Sequence, residues 1–168
     1  MKLLLALFSY LALAWIGLGA AAMLASQAMR LRRVFAAGCA LILGCAFLLF
    51  GSDKIIGWDS AAEHAETLSF YQTYYGLNPA FMTLTGWIQT LSAVLLFWHR
   101  RHWVVIIGAG LILCTCTAAL FFHIAYDPAG PFRGLASIMG ALLSAAVLGA
   151  NLDLLQSLWH RITKRHHA

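Results

Sequence analysis

Charge is scarce in this chain. Of its 168 residues only 10% are Asp, Glu, Lys or Arg, where a soluble domain carries about 25%, so a water-soluble globular fold is excluded. Disorder is excluded too, because it needs low hydrophobicity and high charge. Proline is rare, at three residues, and no Gly-X-Y repeat is present, which removes collagen-like architectures. The four cysteines Cys39, Cys45, Cys114 and Cys116 all fall inside apolar runs, so a disulfide scaffold and loop-based thiol chemistry are disfavoured. Walker loops, Gly-x-Gly-x-x-Gly turns, HExxH helices and nucleophile elbows are all missing.

Apolar sequence takes their place: 62% of residues are hydrophobic and the mean hydropathy is +0.80. Five runs stand out, at residues 3–29, 34–52, 80–98, 103–126 and 134–152. A bilayer-spanning helix takes about 20 residues, and backbone in lipid must satisfy its own hydrogen bonds. Continuous runs such as VVIIGAGLILC do not alternate as barrel strands do. The expected fold is therefore an all-α membrane protein, one domain over residues 1–168, with five transmembrane helices. The run at 3–29 is read as a retained span, because three arginines follow it and it is longer than a signal-peptide core.

The charges set an orientation. Arg30, Arg32 and Arg33, then Arg100 and Arg101, then Arg161, Lys164 and Arg165 fall on one side of a five-span arrangement. Asp53, Asp59, Glu63, Glu66 and Asp127 fall on the other, with Lys2, Lys54 and Arg133 as basic exceptions. Positive loops face the cytoplasm, which predicts a bacterial inner-membrane protein with N-terminus periplasmic and C-terminus cytoplasmic. Residues 153–168 then form a basic cytoplasmic tail. The net charge of +5 is topological, and it points to membrane lipids rather than nucleic acid. His99 and His102 belong to a basic turn that suits lipid headgroups.

Residues 57–79 are acidic and aromatic rather than apolar. Ala62, Leu68, Tyr71 and Tyr75 share a face at helical spacing, and tyrosines favour the headgroup level. A periplasmic interfacial helix is expected here, with Pro79 opening the third span.

The order Gly51-Ser-Asp-Lys54, an aromatic segment from Phe70 to Tyr75, Gly76-Leu-Asn-Pro79, then Gly86-Trp-Ile-Gln89 resembles the DoxX-like superfamily of small bacterial membrane proteins, which includes the DoxD and MauE types. The resemblance covers residues 33–149. Gln89 stands where that family often carries a carboxylate, and Ser92 stands near an expected glycine. The resemblance implies a four-helix bundle, to which the run at 3–29 adds an N-terminal helix. It also implies a link to respiratory or sulfur redox metabolism.

Polar groups at membrane depth are functional candidates. Lys54 ends the second span, Gln89 lies about nine residues into the third, and His123 and Asp127 share a face at the end of the fourth. These four compose a candidate pocket for a lipid-soluble ligand such as a quinone, with Lys54 or His123 donating to a carbonyl. Each also has an ordinary reading: a snorkelling lysine, an interhelical glutamine, an interfacial His–Asp pair. Haem is disfavoured because His99 and His102 lie across the membrane from His123, and copper because cysteines within apolar runs ordinarily serve as small packing residues; Cys114 and Cys116 point about 200° apart on a helix, which disfavours a reactive thiol pair. Small residues recur at four-residue spacing as Gly110, Cys114 and Ala118, and as Ala136, Gly140 and Ser144, faces for bundle packing or for a partner.

Three functions follow as expectations. The first is an accessory or anchoring subunit of a quinone-linked or sulfur-metabolism redox complex, assembled with other membrane subunits or with itself. The second is a quinone-reactive oxidoreductase subunit, and the third a small-molecule carrier or resistance protein. The sequence does not distinguish an enzyme from a binding subunit.

Overall fold

A computed structural model of the chain describes residues 15–16, 29–58, 61–98, 101–126 and 134–151. Among them the structure is helical, with no strand: α1 (Met29–Ile56), α2 (Ala61–Tyr75), α3 (Pro79–Phe97), α4 (His102–Tyr126) and α5 (Leu135–Ala150). Three stretches are long and apolar enough to cross a membrane, Arg32–Ile56, Pro79–Phe97 and His102–Tyr126. The fifth expected span appears as the apolar helix α5, which at 16 residues is shorter. The first expected span lies outside the described residues except for Trp15 and Ile16, and so do residues 152–168, His99 and Asp127.

Local chemistry sets the helix ends. Asn78 caps α3, its side-chain oxygen accepting from the Ala80 N–H at 2.9 Å, and Pro79 occupies the first turn, where a missing N–H costs nothing. At the end of α1 the chain turns through Gly57, whose φ of +62° is the left-handed conformation that favours glycine. Asp53 secures that turn: its carbonyl accepts from the Gly57 N–H at 2.7 Å and its carboxylate from the Trp58 N–H at 3.0 Å. The Trp58 indole N–H donates to the Ser52 hydroxyl at 2.8 Å.

Helices α1, α3, α4 and α5 close a ring in which each packs on two neighbours, and α1 against α3 is the most extensive interface. Cys39, Leu43, Leu96, Ala109, Ile112 and Leu143 fill its centre with almost no exposure. In lipid the outward faces are apolar too, so Trp87, Leu91, Val94, Ile107 and Leu111 point away from the bundle. Trp15, from the first apolar run, stacks on Phe35 and donates its indole N–H to the Phe35 carbonyl at 3.2 Å, which places it against α1.

Close backbone approach builds the α1–α3 contact. A Cβ on Gly86 would meet the Gly51 carbonyl oxygen at 2.8 Å and the Lys54 Cβ at 2.9 Å, so only glycine permits this crossing. The stripe of Ala136, Gly140 and Ser144 faces inward, with Gly140 against Cys116 and Phe47. The matching stripe on α4 does not. Cys114 and Ala118 are exposed, and a Cβ on Gly110 would find nothing within 4 Å. The inward face of α4 is instead Val105, Ala109, Ile112 and Cys116, which leaves Gly110, Cys114 and Ala118 on the outside.

Candidate functional site

Lys54 lies in the last turn of α1. A helical side chain leaves its Cα toward the helix N-terminus, so Lys54 leans back into the bundle, its Cβ packed where Gly86 has no side chain. The ammonium donates to the Gln89 side-chain oxygen at 2.9 Å. Gln89 is itself buried, at 7% exposure. Its position follows from the crossing: Gly86 admits the lysine stem, and Gln89, three residues on, lies about 4.5 Å farther along α3. Lys54 forms no ion pair with a carboxylate among the described residues, although Asp53 is its neighbour.

His123 goes elsewhere. Its Nδ1 and the Tyr75 hydroxyl share a hydrogen bond of 2.9 Å. Tyr75 is buried, and its ring stacks on Phe122 with centroids 5.6 Å apart. Phe70, Tyr71 and Tyr74 extend the aromatic cluster along α2. Of the four expected pocket residues, two therefore meet: Lys54 and Gln89. His123 occupies a second polar pair with Tyr75, and Asp127 lies outside the described residues. Tyr75 was legible only as an aromatic anchor for a headgroup; nothing in the sequence pairs it with a histidine 48 residues away.

Two hydroxyls are buried without a partner among the described residues, Thr90 beside the Gly51–Gly86 crossing and Ser144 on α5. The cysteines are all free thiols: Cys39 and Cys116 are buried, while Cys45 and Cys114 face outward. Packing thus accounts for two of the four. Cys114 and Ala118, with Leu113, Thr117, Phe121 and Phe122, line a shallow apolar groove on the outer face of α4. No three His, Cys, Asp or Glu side chains gather among the described residues.

Chemically, the Lys54–Gln89 pair is a positively charged donor held beside an amide inside an apolar bundle. That arrangement suits a hydrogen-bond acceptor carried on an apolar body. Compared with known proteins, the chain matches no family model, no curated protein and no solved structure.

Proposed function

We propose that the protein is an accessory subunit of a membrane redox assembly and that Lys54 and Gln89 recognise the carbonyl of a quinone head group. The observation that carries this reading is the direction of Lys54, whose ammonium turns into the bundle onto a neutral amide. A lysine at a span end ordinarily extends outward to the interface. The neutral, lipid-soluble acceptor fits the apolar walls, and it leaves Gln89, rather than a carboxylate, as the compatible partner. In the full reading the chain has five spans, with α2 at the periplasmic surface and the Arg clusters in the cytoplasm of a bacterial cell. The DoxX-like order of motifs supports the place in a redox assembly, by analogy of sequence alone.

The Tyr75–His123 pair favours one extension, a quinone-reactive subunit in which His123 relays a proton. The deciding experiment is solvent extraction of the protein purified from native membranes in mild detergent. Quinone should accompany the wild-type chain and be lost from Lys54→Met, which keeps the stem and removes the charge. Equal quinone in both refutes the site, and recovery as a lone monomer refutes the accessory role.

A further inference from the structure

We infer that α2 is a lid over the end of the bundle where α1 and α4 finish, latched by Tyr75 on His123, and that its release opens the path to Lys54. Four observations converge. Glycines in the left-handed conformation bracket the helix, Gly57 at φ +62° before it and Gly76 at φ +64° after it, and they are the only positive-φ residues among those described. Tyr75 is the one buried side chain on α2 among those described, at 8% exposure. Its hydroxyl is bonded to His123 and its ring lies on Phe122, so the helix is fastened to α4 at its last residue. At the other end, the His64 ring lies about 3.1 Å from where a Cβ on Gly57 would stand, so the first turn of α2 packs on the turn that ends α1.

The four ring helices are joined by continuous buried core, whereas α2 touches α3 and α4 sparsely among the described residues. Segments with few buried contacts open at far lower cost than the core. Lys54 stands three residues before the Gly57 turn that leads into the segment that would lift. The motion follows from the geometry of α2 alone; its role as a gate rests on the ligand site proposed above.

The chain supplies its own probe, because Lys2, Lys54 and Lys164 are its only lysines. The full-length protein in detergent micelles is treated with a water-soluble amine-acylating ester, and the label on each lysine is timed by mass spectrometry with Lys164 as reference. Amide hydrogen exchange over residues 61–75 and 79–97 is measured alongside. Tyr75→Phe keeps the ring and removes the latch hydroxyl, so both α2 exchange and Lys54 acylation should rise about five-fold, the worth of one hydrogen bond. Gly76→Ala should act in the same direction through backbone strain alone, since its Cβ meets nothing within 4 Å. Residues 79–97 and Lys164 should not change.

Unchanged α2 exchange in both variants overturns the lid. Faster α2 exchange with unchanged Lys54 acylation overturns the gate. Absence of bound quinone in the purified protein alters neither readout, so failure of the ligand assignment is separable from failure of the lid.

Discussion

Replacing Gly86 by alanine tests the crossing on which the Lys54–Gln89 pair depends. The added Cβ would stand 2.8 Å from the Gly51 carbonyl oxygen, 2.9 Å from the Lys54 Cβ and 3.1 Å from an Ile55 carbon. Ordinary contact begins at 3.4 Å, so α1 and α3 must separate by about 0.6 Å. The nearest obstacle is backbone and cannot rotate away. Overpacking of this kind costs about 1–3 kcal/mol, and the better helix propensity of alanine returns about 1 kcal/mol, which leaves a net loss of about 0–2 kcal/mol, against a gain at an open position. The same separation stretches the 2.9 Å bond between Lys54 and Gln89 to the edge of hydrogen-bonding range. Gly110→Ala and Gly149→Ala are the matched controls, because a Cβ at either position meets nothing within 4 Å. They should be neutral or stabilising by up to about 1 kcal/mol. Reversible unfolding in mixed micelles, followed by circular dichroism, reads all three. If Gly86→Ala is as stable as Gly110→Ala, the crossing does not bring the two backbones together and the placement of Lys54 falls with it.

Three further outcomes are expected. Lys54→Met should destabilise the bundle by about 1–2 kcal/mol by leaving Gln89 buried without its donor, and the double variant with Gln89→Leu should recover most of that loss in the same unfolding assay; two additive losses would show that the pair does not interact. Ser144→Ala, which removes a fully buried hydroxyl with no partner among the described residues, should be neutral or stabilising by about 1 kcal/mol, and a clear loss of stability would mean that this hydroxyl is bonded in the membrane. In intact cells Glu63→Cys should react with a membrane-impermeant thiol reagent and Arg101→Cys should not, and the opposite pattern would invert the orientation.

Helix positions were legible where the chain carries punctuation. Pro79 marks the start of α3, and the Gly51 to Lys54 stretch marks the last turns of α1. The polar residues at depth were legible as well, because Lys54, Gln89 and His123 interrupt apolar runs. Their pairing was not. Lys54 and His123 stand at the same-side ends of the second and fourth runs, so sequence places them at one depth, but side-chain direction sends one ammonium inward to Gln89 and the imidazole to Tyr75. Rotation about the helix axis was equally hidden. Gly110, Cys114 and Ala118 follow the same spacing as Ala136, Gly140 and Ser144, yet the first set faces out and the second faces in. In water a polar face would mark the outside; α4 is apolar all round, so no such mark exists. Gly51 and Gly86 were legible as motif positions, and only the structure shows them opposed across a helix crossing.

The direction of Lys54 separates a structural role from a recognition role. As a strut between α1 and α3, an ammonium is a poor choice: it carries a large desolvation cost that methionine would avoid at similar volume. A neutral amide across the interface would bond Gln89 equally well. An ammonium has three donors, and the described residues engage one of them, at Gln89. No carboxylate forms an ion pair with it among those residues. A group arranged in this way favours an acceptor that brings partial or full negative charge, and it gains most when that acceptor excludes water. The amide of Gln89 fixes the ammonium without neutralising it, which a glutamate at the same position would do. On the proposed reading, a neutral amide at this position therefore selects an acceptor, where a carboxylate would select a cation or a proton. Gln89→Glu should reverse that preference and displace a bound quinone, while an intact quinone content in Gln89→Glu would return Lys54 to a purely structural part.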